Sequence, residues 1–140
     1  ANAAFTDARF SEFPDGGGNG VDLDGNALPN APDFNGSIAV DYETSVAALN
    51  GSLAFYGEFS HRGESFVQPS NLDRDLLEAR DLLNGRVTYT PNDGTWQFSI
   101  WGRNLLDETY ATRRGRDFLG NQWTKFNDPR VMGAEVRFDF

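Results

Sequence analysis

The sequence predicts an all-β protein, an antiparallel up-and-down meander of about six strands that is part of a transmembrane β-barrel. Three observations lead there. In the last ten residues Met132, Ala134, Val136, Phe138 and Phe140 fall on one parity, and Gly133, Glu135, Arg137 and Asp139 on the other. A period of two marks a strand with one apolar and one polar face, and an aromatic end with charges on the opposite face suits a wall between lipid and a wet lumen. The composition, with 15 Gly, 12 Phe, 4 Tyr and 3 Trp but 1 Met, favours strands and turns over helices. The connections between candidate strands also alternate between long and short, as in barrels with long loops at one end.

The first strand is read over about Ala3 to Glu12, where Phe5 and Phe10 are the large apolar residues and alternation is poor. A Gly/Asn/Asp/Pro stretch follows, from Phe13 to about Phe34. The second strand, Asn35 to Glu43, sets Ile38, Val40 and Tyr42 against Ser37, Ala39 and Asp41. The third, Gly51 to His61, sets Leu53, Phe55 and Phe59 against Ser52, Ala54, Tyr56, Glu58 and Ser60. The fourth spans about Ala79 to Thr90, with Leu83, Gly85, Val87 and Tyr89 opposed to Asn84, Arg86 and Thr88. Residues 73–84 also have near-helical spacing; the strand is preferred because Gly85 to Thr90 continues it with β-formers, and a helical turn near Asp75 to Glu78 is the alternative. The fifth, Thr95 to Asn104, opposes Trp96, Phe98 and Ile100 to Gln97, Ser99, Trp101 and Arg103. The sixth is the terminal strand. Strands of about ten residues, tilted, match a bilayer core.

Thr44 to Asn50 and the Pro91-Asn92-Asp93-Gly94 turn are short, with Pro91 and Gly94 suited to a type I turn. The stretches 13–34, 62–78 and 105–130 are long. Placing the C-terminal end in the periplasm makes all three long connections extracellular and both short ones periplasmic.

A net charge of −9, from 21 acidic and 12 basic residues, argues against nucleic acid as a partner and against docking onto anionic lipid from outside. With no Cys there is no disulfide, thiol nucleophile or Cys-based metal site. Mean hydropathy is −0.54 and no apolar run is long enough for a membrane-spanning helix, which leaves a membrane β-barrel open because only alternate residues need be apolar. Ala1 to Phe10 has neither the basic start nor the apolar run of a signal peptide. A mature chain, or a piece of a longer one, is expected.

Three segments resemble a known family. Asn104-Leu105-Leu106-Asp107-Glu108-Thr109-Tyr110 resembles the N-L-[FL]-D-x-x-Y segment near the end of TonB-dependent outer-membrane receptors. Asp128-Pro129-Arg130-Val131-Met132-Gly133 resembles their P-R-x-x-G close, and Gly25 to Pro32 resembles a G-x-x-L-P-x-A-P stretch before another strand. The resemblance covers about Phe5 to Phe140. It implies a 22-stranded barrel filled by a plug, importing a scarce nutrient (siderophore, cobalamin or saccharide) with energy from the TonB complex. It makes residues 1–140 the C-terminal part of such a barrel, with the plug absent. It also implies the outer membrane of a Gram-negative bacterium, with outer-membrane lipid, the assembly machinery and the remaining barrel and plug as partners.

The terminal strand, with Val136, Phe138 and Phe140, resembles the signal read by that assembly machinery, and an open edge permits docking by strand addition. The plainer reading is the closing strand of a soluble barrel. Arg113, Arg114 and Arg116 form a basic run that could grip an anionic ligand or a lipopolysaccharide phosphate; the favoured reading is a solvated loop pairing with Asp107, Glu108 and Asp117. Asp22-Leu23-Asp24-Gly25-Asn26 spaces its oxygens like a calcium loop but has Ala27 and Asp33 where an EF-hand needs Gly and Glu. Tyr89 and Trp96 flank the Pro91 turn as an interfacial aromatic pair. His61, the only histidine, is read as a rim residue. No catalytic, cofactor or metal constellation is present, so no cofactor and no enzymatic activity are expected.

Six strands cannot enclose a lipid-embedded barrel, whose smallest examples have about eight. Closure must come from further strands or from self-association into a homo-oligomer. The alternative is a soluble or self-assembling β-module without transport activity, its aromatics turned inward.

Overall fold

The computed structural model describes residues 1–139; Phe140 lies outside the described residues. Ten strands follow in chain order: β1 (Asn2–Phe5), β2 (Phe34–Val46), β3 (Gly51–Arg62), β4 (Ser65–Phe66), β5 (Leu76–Leu77), β6 (Arg80–Pro91), β7 (Trp96–Arg103), β8 (Ala111–Arg116), β9 (Gln122–Phe126) and β10 (Val131–Phe138). Six of them form one sheet in the order β1-β2-β3-β6-β7-β10, every neighbour antiparallel. These are the six expected strands, in the expected meander. β4 with β5, and β8 with β9, form two small separate ladders.

Register carries the apolar parity unbroken from strand to strand. Ile38 lies opposite Phe59 and Tyr42 opposite Phe55; Phe55 lies opposite Val87, Val87 opposite Ile100, and Ile100 opposite Ala134. A slip of one residue anywhere would turn a strand's apolar set to the other side. The other face carries the polar pairs. Thr88 and Ser99 hydroxyls meet at 2.8 Å, Asn84 Nδ2 donates to Glu58 Oε2 at 3.3 Å, and Arg86 reaches across β7 to Glu135 at 2.7 Å.

The connections divide as expected. Residues 47–50 form a tight turn at one end of the sheet. The same end has the Pro91 turn, closed by Gly94 N–H donating to Pro91 O at 2.9 Å. The three long connections share the opposite end. Two differences stand out. The first strand is only Asn2–Phe5, and beyond it a single bridge joins Arg9 to Ala27. Its remainder lacks the alternating apolar residues that hold a strand against a sheet. The 105–130 connection is a β-hairpin rather than an irregular loop. The alternative helical turn near Asp75 to Glu78 is not formed: Leu76–Leu77 is strand β5, and a 3-10 turn lies just upstream at Asp73–Asp75.

Candidate functional site

The sheet has no dry side. Among the described residues only Leu23, Leu77 and Ala111 are buried apolar side chains. The large apolar residues of one face stay open instead: Met132 is 69% exposed, Val136 53% and Phe138 61%, with Ile38, Val40, Phe55, Phe98 and Ile100 exposed beside them. Hydrophobic patches of this extent on a folded surface mark a contact with something apolar. Val136 lies opposite Phe98 and Phe138 opposite Trp96. Of the proposed terminal signal, Val136 and Phe138 therefore sit on this belt, and Phe140 lies outside the described residues. At the short-turn end Tyr89 and Trp96 pack edge to face at 5.5 Å, and Tyr89 Oη donates to Leu49 O at 2.6 Å. The amphipathic pair thus has its apolar bodies together and its hydroxyl satisfied at the rim.

Leu105 locks the loop end to the belt. Its side chain fills the place a Cβ would take at Gly102, 2.5 Å away, and touches the equivalent place at Gly85. The two glycines lie opposite each other on β6 and β7. Beyond Leu105, the two family-like segments clasp one another. Asn104 is buried in the left-handed conformation (φ 51). It accepts from Glu108 N and donates to Glu108 O, both at 2.9 Å. Asn127 accepts from Tyr110 N at 2.9 Å and donates to Glu108 O and Asp128 O, at 2.9 and 2.7 Å. Asp107 accepts from Arg130 N at 3.2 Å. The two segments therefore build the base on which the β8–β9 hairpin stands, and Arg80 braces it by stacking 4.3 Å over the Tyr110 ring.

Arg113, Arg114 and Arg116 all lie on β8. Arg113 faces Lys125, while Arg114 and Arg116 share the other side. The expected pairing with Asp107, Glu108 and Asp117 is not found. Asp107 is taken by Arg130 at 3.6 Å. Asp117 caps its own turn, accepting from Leu119 N, Asn121 N and Asn121 Nδ2 at 2.8–2.9 Å. The Asn121 amide is the main reason its carboxyl is held below the usual range. Among the described residues none of the three arginines has a carboxylate within 4.0 Å. The hairpin itself carries four cations and Asp117 in a chain of net charge −9. Arg74, on the neighbouring loop, went unnoticed in the sequence because no spacing ties it to β8.

The calcium-like stretch is used structurally. Asp24 accepts from the Phe13 backbone, and Asp22 accepts from Asp24 N at 2.9 Å. His61 stands near the loop end of β3, bonded to Asp81 at 2.6 Å and 5.7 Å from the Phe34 ring.

No family model matches the sequence, and no curated protein sequence does. Solved structures that share the fold include two receptors. The ferric yersiniabactin uptake receptor FyuA from Yersinia pestis superposes on 84% of this chain with TM-score 0.73 at 19% identity. BauA, the ferric preacinetobactin receptor from Acinetobacter baumannii, superposes on 99% with TM-score 0.71, also at 19% identity. The chain spans under a fifth of either receptor's length, 18% and 19%. It has the fold of a β-barrel wall segment of receptors of this type, in agreement with the motif resemblance.

Proposed function

We propose that the chain is a stretch of barrel wall from an outer-membrane receptor that imports a scarce nutrient of the ferric-chelate class, without enzymatic activity of its own. One observation carries this reading. An apolar belt runs in register across β2, β3, β6, β7 and β10, with large apolar side chains exposed on β2, β3, β7 and β10 and half-buried on β6, and with hydrogen-bonded polar residues on the other face. Lipid outside and water inside is the environment that satisfies both faces. The ligand class is supported by the names of the two similar receptors and by the uncompensated cations at the loop end, which suit an anionic ligand.

Extraction tests it. The protein is expected in the membrane fraction and released as a dispersed species only by detergent, with Phe55, Phe98 and Val136 in contact with detergent chains by nuclear Overhauser effects. A clean, small, detergent-free soluble species would refute it.

A further inference from the structure

A cavity of about 330 Å3 opens between the 67–75 segment and β8, lined by Gln68, Ser70, Arg74, Asp75, Gly115 and Arg116. The segment is held rigidly: Val67 N donates to Asp75 O at 2.9 Å, Asp75 N to Leu72 O at 2.8 Å, and Asn71 Nδ2 to Ala27 O at 3.0 Å. The cleft lining carries two arginines, Arg74 and Arg116, against one carboxylate, Asp75, which lies within ion-pair range of Arg74. The Arg74 Nε to Asp75 Oδ2 distance is 3.8 Å, beyond hydrogen-bond length, and Arg116 has no carboxylate within 4.0 Å among the described residues. Arg114, on the same side of β8 as Arg116 but outside the cleft lining, buries its Nε with no hydrogen-bond partner. A buried guanidinium N–H is unfavourable without an acceptor, and Arg forks match the paired oxygens of carboxylate and phosphate.

We propose that this cleft is a preformed oxyanion subsite. It takes a single carboxylate or phosphate group between Arg74 and Arg116, with the Ser70 hydroxyl and the Gln68 amide donating to the remaining oxygens. The volume sits near the lower end of the range for small-molecule sites, so it seats one anionic arm of a ligand and not a whole chelate. The buried Asp75 carboxylate in the lining excludes a second negative group by repulsion. The assignment rests on the loop end being the ligand-facing end. The oxyanion comes either from a soluble ligand or from a lipid headgroup.

The experiment observes arginine Nε–Hε resonances of the 15N-labelled chain in detergent micelles at constant ionic strength. Inorganic phosphate is added in one arm and bicelles containing phosphatidic acid in the other. Arg74 and Arg116 are expected to shift saturably, and Arg113, on the opposite side of β8, not to shift. Arg74→Gln and Arg116→Gln each weaken the response about tenfold or more, the loss of one charge-assisted bond, whereas Arg113→Gln leaves it unchanged. Response to phosphate identifies a soluble source, and response to bicelles alone a headgroup; both support the subsite. Equal, non-saturating shifts of all arginines, or unchanged affinity in Arg74→Gln and Arg116→Gln, overturn it. Detergent contacts at Phe55 and Val136 in the same sample score the wall reading separately.

Discussion

At the scale of the residue, the weight falls on two polar side chains in the third long connection. Asn104 satisfies both sides of its amide against the backbone of one residue, Glu108, in a buried site with positive φ. Asn104→Ala leaves the Glu108 N–H and C=O short of partners and places a Cβ-only residue in a left-handed backbone. It is expected to destabilise the protein by about 1–3 kcal/mol, and Asn104→Gly by less, because Gly restores the backbone preference. Denaturant midpoints in micelles rank the three proteins. Asp117 is the second. Its carboxyl is held below the ordinary value chiefly by the Asn121 side chain, with backbone N–H groups assisting. A depressed folded pKa contributes stability above the unfolded value of about 3.9, and that stability is lost as pH falls through the folded value. The amide resonances of Leu119 and Asn121 are therefore expected to titrate with a midpoint below that of an unstructured Asp. Asp117→Asn should abolish the titration.

At the scale of the element, parity decides what a substitution does. Val136 and Glu135 are adjacent on β10, yet one belongs to the exposed apolar belt and the other to an ion pair with Arg86 at 2.7 Å. If the belt faces hydrocarbon, Val136→Arg costs about 2–4 kcal/mol near the bilayer midplane. Glu135→Ala removes a half-exposed ion pair, worth at most about 1 kcal/mol. Unfolding in lipid vesicles should separate the two clearly; similar small effects would place Val136 away from lipid. The same parity explains what was legible in the sequence. Strands β2, β3, β6, β7 and β10 could be read because each alternates apolar with polar residues, which is what a lipid–water wall requires. The β8–β9 hairpin could not. Arg113-Arg114-Gly115-Arg116 has no apolar stripe, since the hairpin is held at its base by Asn104 and Asn127 rather than by a buried face. The cleft was hidden for a related reason. Arg74 and Arg116 lie on different connections, and only the packing of loop on strand brings them together.

At the scale of the whole molecule, the sheet's edges govern its behaviour. β1 pairs only with β2 and β10 only with β7, so the described sheet has two open margins, one of four residues and one of eight. Unpaired backbone groups in hydrocarbon cost several kcal/mol each, and a long open edge is a template for another strand. In an antiparallel pair alternate residues direct their N–H groups to the neighbour and the rest point away. In micelles the 140-residue chain is therefore expected to show slow hydrogen exchange along β3 and along residues 85–89 of β6, which are paired on both sides. Along β10 slow and fast amides should alternate residue by residue. Closing the wall, by further strands or by copies of the chain, removes the fast set. Uniform protection of β10 at the mass of one chain would mean the sheet closes on itself, and the open-wall reading would fail. Uniform protection at a multiple of that mass would show edge-to-edge assembly. The alternating pattern, with the apolar belt still in contact with detergent, is the result expected of a wall segment with two open margins.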